Sequence, residues 1–178
     1  MILPMFKYFL VSSDLHQEKN AISEAAWILS KYTEITNFKP ILQSVGGLSL
    51  LKIIKGDFNF DKSIYVYIKE LHEKSTIRFC HKIIPLEYFQ KFSEKSILDW
   101  ISSIKFPDET NWRITINKRH SNVKTRPLIA NIASQIKNGT VDLKNPDKII
   151  QLEIVGQNVG FSVLDPWKIL QLKKFLEL

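Results

Sequence analysis

The sequence predicts an α+β protein built from two domains. Of its 178 residues, 44% are hydrophobic and 24% are charged, a balance typical of a chain that buries apolar cores. Short β-branched runs alternate with longer segments in which apolar residues recur at helical spacing. Strands and helices are therefore expected in both halves, and the change in their order near residues 84–87 marks the expected domain boundary.

The first half alternates strands and helices in the order β-α-β-β-α-β. The strand-like runs are 6–11, 41–45, 48–54 and 76–84. Gly46-Gly47 indicates a two-residue hairpin turn between the second and third runs. One helix is predicted after the potential caps Ser12, Ser13 and Asp14, and another over residues 61–71. This order is that of a ferredoxin-like domain, which we assign to residues 1–85.

The second half, residues 86–178, has a different order. An amphipathic helix is predicted over residues 87–104, followed by a strand over 112–117. A second helix is expected to end at Asn138-Gly139, and a hairpin to turn around Gly156. Pro166 opens a predicted closing helix whose apolar residues are expected to pack on the core of this domain. These residues are Leu170, Leu172, Phe175 and Leu176.

The charge balance favours a polyanionic partner. The formal net charge is +7 and the isoelectric point is about 9.4, which fits nucleic acid or an acidic membrane surface. No apolar run approaches the roughly 20 residues that span a bilayer, so we expect no membrane helix. The single cysteine, Cys80, excludes an internal disulfide and fits a reducing compartment, so we expect a cytoplasmic protein.

The positive charge is concentrated between Glu109 and Asp142, where the sequence has no acidic residue. The basic residues in this window are Arg113, Lys118, Arg119, Lys124, Arg126 and Lys137. Most of them lie on a predicted strand end, a loop and a helix start, so their charged groups can converge. Thr125 is a potential cap for that helix, whose free backbone N–H groups suit phosphate. A solvated lysine-rich loop is the alternative interpretation.

An ordered series of motifs covers this half of the chain. It comprises Trp112–Ser121, the apolar pairs Leu128-Ile129 and Ile132-Ala133, the turn Val141–Asp147, and Ile150–Ile154 with Gly156. The series resembles the THUMP domain of RNA-modification proteins over residues 86–165, which implies an α/β fold with a mixed sheet. With Lys-Arg-His-Ser at its strand end, the chain is most similar to the stand-alone adaptor family for tRNA cytidine acetylation.

The resemblance implies a function without catalysis. Members of that family present tRNA to a separate acetyltransferase that makes 4-acetylcytidine, and THUMP domains hold the acceptor arm and the 3′ CCA end. It therefore implies tRNA and an acetyltransferase as partners, and no cofactor. The residues expected to contact RNA are Arg113, Lys118, Arg119, His120, Ser121, Asn122, Lys124 and Arg126. The turn around Pro146 is expected to be a structural signature of the fold.

The sequence contains no complete motif for catalysis or metal binding. Val45–Ser49 lacks the residue order of a pyrophosphatase loop, and Lys144–Asp147 is not the Asn-Pro-Pro-aromatic motif of amino methyltransferases. The four histidines lack nearby cysteine pairs, so no metal site is expected. Cys80 is expected to be buried rather than nucleophilic. Three alternatives remain open: an RNA-modifying enzyme, a THUMP subunit of another tRNA-modification complex, and a peripheral membrane protein.

Overall fold

A computed structural model describes residues 5–58, 61–74 and 76–173 of the chain. The described chain forms two compact units, one of residues 5–86 with 167–173 and the other of residues 87–166. Each unit has its own sheet and its own hydrophobic core. The predicted α+β class is confirmed.

The first unit has the predicted β-α-β-β-α-β order. Its elements are β1 (Tyr8–Ser12), α1 (Glu18–Tyr32), β2 (Asn37–Leu42), β3 (Leu48–Lys55), α2 (Ile64–Glu73) and β4 (Lys82–Leu86). The strands follow the spatial order β4-β1-β3-β2, and every neighbouring pair is antiparallel. Phe9 and Val11 of β1 pack with Ile28 and Leu29 of α1 and Ile68 of α2. The arrangement is ferredoxin-like, as the sequence predicts.

Three details of this unit differ from the prediction. Strand β2 ends at Leu42, so residues 43–47 connect it to β3 and the expected two-residue turn at Gly46-Gly47 is wrong. Helix α1 begins at Glu18, and its N-cap is Gln17, whose side chain makes no capping bond to the helix backbone, so Ser12, Ser13 and Asp14 do not cap it. The last strand begins only at Lys82 instead of residue 76.

The carboxylate of Glu24 explains the late start of β4. It accepts the backbone N–H groups of Arg78, Phe79 and Cys80 at 2.7, 3.0 and 2.6 Å. Those N–H groups are therefore bonded to a side chain of α1. Because each backbone N–H is a single donor, these three have no donor left for a strand ladder.

The second unit is a mixed sheet with helices on one face. Its elements are β5 (Tyr88–Lys91), α3 (Glu94–Ser102), β6 (Asn111–Arg119), α4 (Thr125–Gln135), β7 (Thr140–Val141), β8 (Lys148–Val155) and β9 (Asn158–Leu164). The sheet order is β5-β9-β8-β6-β7, in which β6 runs parallel to β7 and β8. Ile97 of α3 and Ile132 of α4 pack in one core with Ile150 and Leu152 of β8.

The helix predicted over residues 87–104 is wrong in its first part, because residues 88–91 form β5. This strand pairs antiparallel with β9, and the ring of Tyr88 stacks on Phe161 with centroids 5.0 Å apart. The Ser93 side chain accepts the N–H of Ser96 at 3.2 Å and so caps α3 at Glu94. Phe89 and Phe92 fit the apolar spacing of a helix, but the Ser93 cap determines where the helix starts.

The predicted closing helix is also wrong over its described part. Pro166–Lys168 form one 3-10 turn, and Leu170–Gln171 form β10, which pairs antiparallel with β4 at the edge of the first sheet. Leu170 and Leu172 are buried in the core of the first unit, not in the core of the second. Phe175 and Leu176, in the remainder of that prediction, lie outside the described residues.

Candidate functional site

The basic segment of the second unit runs from the end of β6 to the start of α4. His120 follows the strand in a left-handed conformation (φ 52°), which turns the chain sharply away from the sheet. The Ser121 hydroxyl accepts the N–H of Val123 at 3.4 Å, and the Lys118 ammonium donates to the carbonyl of Val123 at 3.0 Å. Residues 120–124 are thus held as a defined loop at the sheet end.

The start of α4 differs from the expectation, because Thr125 is the first helical residue and does not cap the helix. The N-cap is Lys124, whose side chain makes no capping bond, and the first turn has no acidic residue. Helix α3 starts at the same end of the sheet, but it has the Ser93 cap and Glu94 in its first turn. The positive end of the α4 dipole is therefore the uncompensated one, which suits an anionic ligand.

The basic side chains at this junction are exposed to solvent. Arg119, Lys124 and Arg126 are exposed, and their side chains make no hydrogen bond or ion pair to other residues that the structure describes. His120 and Asn122 are exposed beside them, and Ser121 is half-buried. Lys118 is exposed but bonded to the loop. The predicted site residues from 118 to 126 therefore occupy one continuous segment at this end of the sheet.

Arg113 is not part of this group. It lies near the start of β6, and its guanidinium donates to the carbonyl of Leu143 at 3.1 Å. Arg119 lies six positions further along the strand, a distance of roughly 20 Å. The structure places Arg113 at the opposite end of the sheet from the loop, where it supports the segment after β7.

The turn after β7 is held by its own side chains. The Asp142 carboxylate accepts the N–H groups of Lys144 and Asn145 at 2.8 and 2.9 Å, and these bonds lower the pKa of Asp142. The Asp147 carboxylate accepts the N–H of Asn111 at the start of β6 at 2.9 Å. The turn thus positions β6 against β8, which is a structural role.

A buried polar cluster lies on the sheet face opposite the helices and was not identified from the sequence. The Glu153 carboxylate, 4% exposed, accepts the side-chain amides of Asn117 and Gln151, both at 2.6 Å. Asn117 pairs with Glu153, and Glu153 pairs with Gly160, so the cluster lies two positions along β6 from Arg119. The only signal in the sequence was the alternation of polar and apolar residues in β8, which indicates two different faces of a strand.

The residues considered for catalysis have structural partners. Cys80 is buried, and burial together with the charge of Glu24 raises the pKa of its thiol well above the usual range. His81 lies 3.5 Å from the Asp14 carboxylate. The described residues hold no group of three or more side chains that could bind a metal ion. Within the same ranges, no helix has the length and apolarity needed to cross a membrane.

The second unit is an α+β domain whose mixed sheet presents an exposed basic loop at one end. A family model of the THUMP domain matches residues 94–164, so this segment is a THUMP domain. The match covers β6, the basic loop and α4, and it extends to the end of β9.

Solved structures with the same fold are larger proteins. PH1313 from Pyrococcus horikoshii Ot3 is 14% identical with a TM-score of 0.52, over 90% of this chain and 56% of that one. TrmN from Thermus thermophilus is 11% identical with a TM-score of 0.56, over 90% and 47%. A 4-thiouridine synthetase, solved in complex with RNA and ATP, is 14% identical with a TM-score of 0.52, over 89% and 41%. The chain thus spans about half the length of these proteins, and no curated protein sequence matches it.

Proposed function

We propose that this chain is a tRNA-binding protein that acts in tRNA modification. The observation that carries the proposal is the loop between β6 and α4 of the THUMP domain, where three cationic side chains are exposed and not bonded to the described residues. A 4-thiouridine synthetase of the same fold has been solved bound to RNA, which supports the proposal. Lysine and arginine contacts to phosphate supply much of the affinity in such complexes.

The more specific proposal concerns the role within modification. We infer that the chain is a non-catalytic, cytoplasmic adaptor that presents the acceptor arm and 3′ CCA end of tRNA to a separate acetyltransferase, which forms 4-acetylcytidine. The sequence resemblance to the adaptor family supports this role. The buried thiol of Cys80, which burial keeps in its protonated form, also supports it, because the thiolate is the nucleophilic form.

The first experiment measures tRNA affinity at two salt concentrations, with intact tRNA and with tRNA that lacks the CCA end. Arg119→Ala should weaken binding and reduce the salt dependence by about 0.7 to 0.9 in logarithmic slope, because one phosphate contact is lost. Lys118→Ala should weaken binding and also lower thermal stability, because Lys118 holds the loop through Val123. Lys105→Ala removes an exposed lysine that precedes β6 and serves as the control.

Each result has a defined meaning. Binding that needs the CCA end and weakens in Arg119→Ala supports tRNA recognition through this loop. Equal affinity of Arg119→Ala and Lys105→Ala would contradict the placement of the site, and absence of tRNA binding would contradict the function itself.

The adaptor role is tested by nucleoside mass spectrometry. The purified chain is incubated with tRNA and either acetyl-CoA with ATP or S-adenosylmethionine. No new nucleoside is expected unless an acetyltransferase is added. A modified nucleoside formed by the chain alone would instead make it an enzyme.

A further inference from the structure

The terminal residues of four strands lie in one row at the end of the second sheet: the last residues of β5, β8 and β6, and the first residue of β9. Lys91 of β5 pairs with Asn158 of β9, Asn158 pairs with Val155 of β8, and Val155 pairs with Arg119 of β6. Paired residues on neighbouring strands direct their side chains to the same face of a sheet. The two cationic residues therefore stand at the two ends of one row, with an amide between them.

The row spans a distance that suits a nucleic-acid backbone. Three strand spacings of about 4.8 Å place the α-carbons of Lys91 and Arg119 about 14 Å apart. One strand of a duplex carries a phosphate every 3.4 Å or so along its axis, so the row extends over several nucleotides. Both side chains are exposed, and Lys91 makes no hydrogen bond or ion pair to the residues that the structure describes.

The acidic residue nearest the row in the sheet is Glu153, two positions before Val155 on the same face, and its carboxylate is buried and bonded to the amides of Asn117 and Gln151. Residues 91–93, 119–126 and 156–158, which surround it in the chain, include no aspartate or glutamate. Glu94, the next acidic residue after Lys91, accepts the side-chain amide of Asn131 on α4 at 2.7 Å. A phosphate at the row therefore meets cations and amides.

The turn between β8 and β9 fixes the separation of the two cations. The Gly156 N–H donates to the carbonyl of Arg119 at 2.9 Å, and the N–H of Phe92 donates to the carbonyl of Gln157 at 2.8 Å. Gly156 faces open space, since no atom lies within 4 Å of where its side chain would begin. These bonds connect the strands of the row, whose two cationic ends are exposed, whereas Val155 between them is buried and Asn158 is half-buried.

From this geometry we propose that Lys91 is a second phosphate-binding residue, so that the RNA sugar-phosphate backbone crosses the sheet end from the loop after β6 to the end of β5. Asn158, which lies next to Lys91 in the row, offers its amide to the ribose or phosphate. The inference rests on the proposed RNA-binding function and extends its site to a residue in the strand before α3, outside the segment that matches the THUMP family model.

The test compares Lys91→Ala with Lys105→Ala, since both remove one exposed lysine from the same unit. We expect Lys91→Ala to lower tRNA affinity and to reduce the salt slope by about 0.7 to 0.9, while Lys105→Ala leaves both unchanged. The ratio of the wild-type affinity to the Lys91→Ala affinity should then fall about threefold as the salt concentration rises from roughly 50 to 200 mM. Circular dichroism and thermal melts confirm that both variants fold.

The Arg119→Ala variant separates failure of this inference from failure of the function. If Arg119→Ala weakens binding but Lys91→Ala has the same affinity and salt slope as Lys105→Ala, the proposed path across the sheet is wrong. The proposal that the loop after β6 binds RNA is then retained. If the wild-type protein binds no tRNA, both the proposed function and the phosphate site at Lys91 are wrong. If the Lys91→Ala and Arg119→Ala losses add in the double variant, the two residues contact separate phosphates as proposed.

Discussion

Glu87 is a partly buried residue and the first of the second unit in sequence. Its two oxygens accept the Val163 N–H at 3.3 Å and the Trp100 indole N–H at 3.2 Å. Burial raises the pKa of Glu87 above its usual range, and these two hydrogen bonds only partly oppose that effect. The native fold therefore favours the protonated acid more than the unfolded chain does.

The direction of the Glu87 pKa shift determines how stability depends on pH. Because the folded pKa is the higher one, the contribution of Glu87 is fully present below the unfolded pKa and is lost as pH rises through the folded pKa. Glu87→Gln removes the ionisation. The variant should therefore gain more stability relative to the unchanged protein at pH 7 than at about pH 4, as measured by urea unfolding. A difference that does not change with pH would contradict the raised pKa.

The basic residues of the site were predictable individually because a long window without acidic residues is visible in the sequence. Their arrangement was not, because Arg113 and Arg119 are close in sequence yet lie at opposite ends of an extended strand. Lys91 was missed for the opposite reason. It is far from the basic window in sequence, and only the register of β5, β9, β8 and β6 aligns it with Arg119.

Two glycine turns determine how the elements of the THUMP domain meet. Gly139 (φ 84°) turns the chain before β7, and an added Cβ would lie 2.5 Å from the Thr110 carbonyl oxygen and 2.9 Å from the Trp112 ring. Gly156 (φ 59°) joins β8 to β9 in open space. Both positions have left-handed backbones, but only the first is also crowded.

Alanine substitutions should separate backbone strain from crowding. Gly156→Ala should cost about 1 to 2 kcal/mol of unfolding free energy, because a side chain at positive φ is strained. Gly139→Ala should cost clearly more, since the Thr110 backbone and the Trp112 ring must also move. Urea denaturation of both variants measures the difference. Equal losses would mean that the Gly139 turn relaxes without resistance.

Elements were predictable where their pattern was local. The β8-β9 hairpin around Gly156 and the helical period of α4 required only neighbouring residues. The errors arose where a distant group competed for the same backbone. The Glu24 carboxylate accepts the N–H groups of residues 78–80, and residues 88–91 form a strand because they pair with β9. Such competition is invisible to a short sequence window.

At the scale of the whole molecule, the THUMP unit is inserted between two parts of the first unit. Residues 167–173 return to the sheet of residues 5–86, where β10 pairs with β4. Leu172 is fully buried in that core, and its N–H donates to the His81 carbonyl at 2.8 Å. The stability of the first unit therefore depends on residues that follow the second.

Leu172→Ala should test this dependence. Removal of a buried leucine side chain typically costs about 2 to 5 kcal/mol, and the backbone bond to His81 is retained. Hydrogen exchange should become faster in residues 8–86 while residues 94–164 keep their protection. Leu143→Ala, at a side chain that is 70% exposed, is the matched control and should change neither. Equal loss of protection in both segments would mean that the units unfold together.

The pairing of β10 with β4 also has a consequence during protein synthesis. A ribosome completes residues 87–166 before it makes the strand that closes the first sheet. Until then the outer edge of β4 lacks β10, and an unpaired strand edge is a template for other chains. We expect the nascent first unit to be the form most prone to aggregation, and chaperones to be needed mainly in the interval before residue 171 emerges.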